Sequence, residues 1–278
     1  MTISQSWDLV KESFSVLRKD KEMLLFPLIS GITALLLLAS FIVPIFFLGG
    51  TESSGAFDTL WLVWLFAYYV LSYFIVIFFN VGLVTCAHIR LSGGDPTFRD
   101  GLNNAFKNIG KIFVWALIAA TVGMVLRFLS EKAGLIGRII IAILGMAWSF
   151  LTFFVVPVLV FEGVGPIESI KRSGSLFKKT WGENIAGQVS MGFIFFLLII
   201  GGAIVLLVPA FLSGMPLAIV AAIALLVAYI VVLSIVSSAL DGIFKTALYI
   251  YATTGKVPEA FKPELVETAF QRKPETAK

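Results

Sequence analysis

Few residues in this chain of 278 could do chemistry, and they are scattered. His88 is the only histidine and Cys86 the only cysteine. A zinc site draws three or four ligands from His, Cys and acidic side chains, so neither residue anchors one, and an intrachain disulfide needs a second cysteine. Glu162, in VFEGVGP, has no acid or base at catalytic spacing in the sequence. Arg127 with Glu131 and Asp241 with Lys245 are each set four residues apart at the end of an apolar run. That spacing puts both members on one helical face as an interfacial ion pair of a few tenths of a kcal/mol. Four cations close together, Lys171, Arg172, Lys178 and Lys179, are suited to anionic lipid headgroups. Phosphate-binding loops, HExxH, GxSxG and dinucleotide fingerprints are missing. The residues assign no catalytic, cofactor-binding or metal role, and no cofactor is expected.

The elements that carry these residues follow from composition. With 59% apolar residues and 14% charged ones, and a mean hydropathy of +0.98, the chain lies far from a soluble domain. A hydrocarbon core about 30 Å thick needs roughly 20 apolar residues per helix. Runs of that length occur at about 24–48, 60–87, 109–129, 135–161, 186–208 and 216–240. A membrane β-barrel alternates apolar and polar residues along each strand, whereas GITALLLLASFIV and FIFFLLIIGGAIVLLV are apolar throughout. The fold class read from the chain is therefore all-α: a polytopic membrane protein with six transmembrane helices arranged as three hairpins.

Orientation follows from Lys and Arg in the short connections. The N-terminal segment, the second and fourth connections and the C-terminal segment hold 18 of the 21 positive residues; the other three, Arg127, Lys132 and Arg138, flank the third connection. Both termini are thus expected in the cytoplasm and the protein in the cell membrane. The first 23 residues are too polar for a cleavable signal, so the first span is expected to remain. The basic residues adjoin spans, where topology and membrane lipid account for them, and nucleic acid is not expected as a partner.

Each hairpin is preceded by a segment with helical periodicity and two faces. The apolar stripes are Trp7, Val10, Phe14 and Leu17; Leu102, Phe106, Ile109 and Phe113; and Ile167, Ile170, Phe177 and Trp181. The pairs Asp95-Pro96 and Gly165-Pro166 read as helix starts. These segments predict cytoplasmic amphipathic helices at the interface, forming a basic collar. They suggest three parallel repeats, about 1–90, 91–162 and 163–252, within a single transmembrane domain 1–252. Residues 253–278 read as a mobile cytoplasmic tail, although Phe261, Leu265, Val266 and Phe270 recur at helical spacing.

FPLISG at Phe26–Gly31, FFVVPVLVFEGVGPIESIKRSGSLFKKTWGE at Phe153–Glu183 and ALYIYATTG at Ala247–Gly255 resemble an uncharacterised family of archaeal and bacterial multi-pass membrane proteins. That family is distantly similar to the membrane domain of some glycerophosphoryl diester phosphodiesterases. The resemblance implies a six-helix membrane fold and no particular activity. The function that accounts for most residues is noncatalytic binding of membrane lipid or of a membrane partner, with homo-oligomerisation left open. A channel or passive transporter is the alternative, and a lipid-modifying enzyme using Glu162, Asp241 or His88 a second.

Overall fold

The computed structural model describes residues 3–48, 55–180 and 186–262. All regular structure among them is helical: α1 (Ile3–Lys19), a 3-10 turn (Lys21–Leu24), α2 (Leu25–Leu48), α3 (Gly55–Leu91), α4 (Phe98–Lys107), α5 (Ile109–Lys132) and α6 (Leu135–Leu151). Then follow α7 (Val155–Pro157), a π-helical turn (Val158–Glu162), α8 (Pro166–Thr180), α9 (Ala186–Leu212) and α10 (Pro216–Thr254). Among the described residues six helical stretches are long and apolar enough to cross a membrane: Lys21–Val43, Trp61–Leu91, Ile109–Lys132, Leu135–Glu162, Gly192–Leu212 and Pro216–Thr254. The molecule is an all-α polytopic membrane protein.

Two compact units make up the chain. The first contains Met1–Leu24, Ala87–Asp95 and Lys179–Lys278, and the second Leu25–Cys86 and Pro96–Lys178. In the first unit α1 lies against α9 and α10, which form a hairpin. Leu9, Val16 and Leu17 of α1 and Leu240, Ile243, Phe244, Ala247 and Leu248 of α10 are all buried. Further along the hairpin the Tyr229 hydroxyl donates to the Leu198 carbonyl at 2.9 Å, closing a polar group inside an apolar helix pair.

This burial explains why α10 outruns its apolar segment. Its 39 residues span about 58 Å at 1.5 Å per residue, nearly twice the hydrocarbon thickness. The half from Leu217 to Val232 is studded with exposed apolar side chains, Leu217 at 81% among them, whereas the stretch Ala239–Tyr249 is largely buried. Burial, not hydropathy, carries the helix past residue 240.

The second unit is built around α3 and α5. Ile77, Phe78 and Val81 of α3 pack with Ala105 of α4, Ile112, Trp115, Ala116 and Ala119 of α5, and Val155 and Leu159 after α6. Gly101 of α4 makes a close approach: a Cβ there would lie 2.5 Å from the Gly82 carbonyl oxygen, 2.6 Å from the Phe26 ring and 2.8 Å from Cys86 Sγ. Without hydrophobic segregation among helices in lipid, such small-residue contacts supply the packing.

The fourth span is broken at residues 152–154, and Pro157 is the reason. A proline ring clashes with the carbonyl four residues back, here that of Phe153, and offers no N–H to it. The helix turns there, and the freed N–H of Phe154 donates to Ser173 Oγ of α8 at 2.9 Å. Both residues are fully buried.

Helix starts depart in one place from the sequence reading. α8 begins at Pro166 as expected, but α4 begins at Phe98 with Thr97 as its cap. Thr97 and Asp100 form a reciprocal capping box, which satisfies two orphan N–H groups and outcompetes Asp95-Pro96 as the start.

Two substitutions test this packing in the full chain. Gly101→Ala is expected to lower stability by about 1–3 kcal/mol, the usual cost of overpacking. Ser173→Ala is expected to cost about 1–3 kcal/mol because it strands a buried N–H. Thermal unfolding in neutral detergent checks both, and unchanged melting would contradict the corresponding contact.

Candidate functional site

The charged residues lie at the ends of helices, and the structure sorts them by how each is held. On α8, Lys171 and Lys178 are exposed and two turns apart, which aligns them on one helix face. Ser169, Ser173 and Leu176 are buried. Arg172 is committed elsewhere, its Nε donating to the Glu162 carboxylate at 3.2 and 3.1 Å. Glu162, isolated in the sequence, thus has its partner across the turn that joins the π-helical segment to α8. The side chain of Lys179 lies outside the described residues, as does Trp181. Of the four cations read as headgroup contacts, two are therefore exposed and unengaged by any ion pair among the described residues.

The other couples occupy helix ends. Arg127 Nε donates to Glu131 at 2.9 Å, and its Nη1 donates to the Tyr69 hydroxyl of α3. Lys245 Nζ stands 2.7 Å from Asp241 one turn earlier on α10. Both are partly or largely exposed pairs, which solvent screening leaves weak. Glu162 belongs to one unit, whereas Asp241 and His88 belong to the other.

One cluster had no sequence signal. Arg90, near the end of α3, donates from Nε and Nη2 to Asp20 and from Nη2 to Asp95. Asp20 is buried, and its bidentate contact spans 70 positions of sequence. A guanidinium fork matches a carboxylate in two parallel bonds, so this clamp ties the segment after α1 to the loop after α3. A count of cations along the chain treats Arg90 as one more; only its partners distinguish it. A second hidden network runs from Asn108 through Asn104 to Thr85: Asn108 Nδ2 donates to Asn104 Oδ1 at 3.1 Å and Asn104 Nδ2 to Thr85 Oγ1 at 2.9 Å. At the α4 cap, the Thr97 hydroxyl and then its backbone N–H hold the Asp100 carboxyl below its usual range. This fixes a negative charge at the helix N-terminus, where the dipole favours it.

The beginning of the C-terminal tail is part of the first unit. Gly255, at φ 72°, ends α10 in the left-handed region and donates its N–H to the Tyr251 carbonyl at 2.8 Å. Phe261 is then buried, and the Lys262 N–H donates to Glu12 Oε2 of α1 at 3.1 Å. Leu265, Val266 and Phe270 lie outside the described residues.

What the short helices share is a two-part surface. Each buries a set of positions at i, i+4 and i+7: Leu9, Ser13 and Val16; Gly101, Ala105 and Asn108; Ser169, Ser173 and Leu176. Beside each set stand large apolar side chains left exposed: Trp7 and Phe14 on α1, Phe106 at 55% on α4, and Ile167 at 65% on α8. The apolar stripes legible in the sequence are thus only partly the packing faces. The most deeply buried positions stand one residue away from the stripes, and at Gly101 the absent side chain lets backbones approach.

With the fold and these surfaces described, the class is an integral membrane protein with short helices flanking its spans. A family model described as "Family of unknown function (DUF6159)" matches residues 59–259, most of the chain, and the chain belongs to that family. No curated protein and no solved structure matches it.

Replacing Asp20 by Asn tests the Arg90 clamp. Loss of a hydrogen-bonded charge from this half-buried contact is expected to cost about 1.5–3 kcal/mol, read as a lower midpoint of thermal unfolding. Asp95→Asn, at an exposed carboxylate, is expected to cost less than 1 kcal/mol. Equal effects would place the clamp's strength in its exposed half.

Proposed function

We propose that the protein is a noncatalytic, lipid-binding component of the cell membrane, with both termini in the cytoplasm. The observation that carries this reading is the pairing, on each of α1, α4 and α8, of exposed large apolar side chains with cations. Phe14 lies near Lys11 and Arg18, Phe106 beside Lys107, and Ile167 near Lys171. Such a helix places its apolar edge among acyl chains and its cations among anionic headgroups.

Topology supports the same side for all three. Each helix follows an even number of spans, and the segments that hold them carry the Lys/Arg excess expected of cytoplasmic connections. The buried sets on the three helices align in register without a gap, which supports reading the chain as three parallel repeats of short helix plus hairpin. We take the family's distant similarity to the membrane domain of some glycerophosphoryl diester phosphodiesterases as one of fold alone.

The test is lipid selectivity of the full chain in nanodiscs made with equal phosphatidylglycerol and phosphatidylcholine. After extraction into mild detergent, retained lipid is counted by native mass spectrometry. The wild-type protein is expected to retain phosphatidylglycerol preferentially. Lys171→Gln with Lys178→Gln should reduce that preference by up to roughly thirty-fold, taking about 1 kcal/mol per lysine. Equal retention of the two lipids by the wild-type protein would overturn the proposal.

A further inference from the structure

The first unit contains a cavity of about 740 Å³ whose walls are the end of α1, the end of α3 with the loop after it, and the last turn of α10 with the segment that follows. The volume lies within the range of small-molecule sites, about 300–1,000 Å³. Its lining is chemically divided. Val16, Ile250 and Val257 supply apolar wall, and Lys19, Arg90 and Lys256 bring cations against one acid, Glu259.

How those cations are held points to what the cavity takes. Arg90 is fixed by Asp20 and Asp95 through Nε and Nη2, and its Nη1 makes no hydrogen bond among the described residues. Lys19 and Lys256 are exposed and form no ion pair among the described residues. A site with one pre-oriented guanidinium edge and two lysines is built for an oxyanion with several acceptor oxygens. The turn at Gly255 sets Lys256 at the rim, and the burial of Phe261 with the Lys262–Glu12 contact holds the segment that forms this wall.

Position decides the ligand's other half. Lys19 is six residues before the apolar α2 begins at Leu25, and the lining residues Leu91 and Ile250 belong to the last turns of the membrane-length α3 and α10. The cavity therefore opens where apolar helices emerge into polar surroundings. We infer that it binds a phosphate ester with a short apolar or glycerol portion, the phosphate held by Lys19, Lys256 and Arg90. A phospholipid headgroup and a soluble glycerophosphate present this same chemistry. The site is distinct from the α8 lysines of the proposed function.

The test uses the purified full chain in maltoside detergent and isothermal titration calorimetry. The probes are dioctanoyl phosphatidylglycerol, sn-glycerol 3-phosphate and, as a neutral control, dioctanoyl glycerol. Binding of at least one phosphate-bearing probe and none of the control is expected. Lys19→Gln with Lys256→Gln should weaken it at least about ten-fold, since hydrogen bonds to charged groups are each worth roughly that factor. Arginine at both positions should restore most of it, which separates loss of charge from loss of fold. All titrations are made in the Lys171→Gln, Lys178→Gln background, which removes the α8 contribution to lipid binding, so failure here and failure of the α8 reading are told apart. Binding of the phosphatidylglycerol alone assigns a membrane-lipid source; binding of the glycerophosphate as well assigns a soluble one. No phosphate-bearing probe bound, or binding indifferent to the Lys19 and Lys256 substitutions, would overturn the inference.

Discussion

Lipid rewards every apolar side chain equally, so nothing hydrophobic tells one spanning helix to pack on another. What remains is close contact between backbones and completion of polar groups. Gly101 against Gly82 and Phe26, and Ser173 on the Phe154 N–H, are the sharpest instances. Elsewhere large apolar residues are exposed, Leu135 at 79% and Leu212 at 83%. A lipid-facing surface there carries no penalty. On α4, Gly101 fits where a longer side chain would hold the helices apart.

That arrangement also governs the charges. A carboxylate or guanidinium at the edge of an apolar region is stable when its hydrogen bonds are completed. Arg90 takes Asp20 and Asp95, Arg172 takes Glu162, and Arg127 takes Glu131 and Tyr69. Among the cations that form no ion pair in the described residues are Lys171 and Lys178 on α8 and Lys19 and Lys256 about the cavity, and these have chemistry still to offer. Function in such a protein is sought among unspent cations rather than among charges that hold the chain together.

Much of the architecture was readable in advance. Six apolar runs, the turns between them and the helical character of the three short segments need only local sequence, because span length and periodicity are local properties. The i, i+4 couples were readable for the same reason. Asp20 with Arg90 was not: the contact joins residues 70 positions apart, and an aspartate before KEMLLF looks like any interfacial acid. The extension of α10 to Thr254 was hidden because burial against α1 sustains it. The start of α4 at Thr97 was in fact written in T-x-x-D, a capping box overshadowed by the neighbouring proline.

The sequence by itself determined that this chain crosses a membrane with helices, and where the apolar runs fall, because the bilayer imposes one length and one polarity on every span. Tertiary structure decided which small residues pack, which cations are consumed by carboxylates, and that α1, α3 and α10 enclose a cavity. Those outcomes depend on contacts between residues far apart in the chain, for which neither periodicity nor composition leaves a trace.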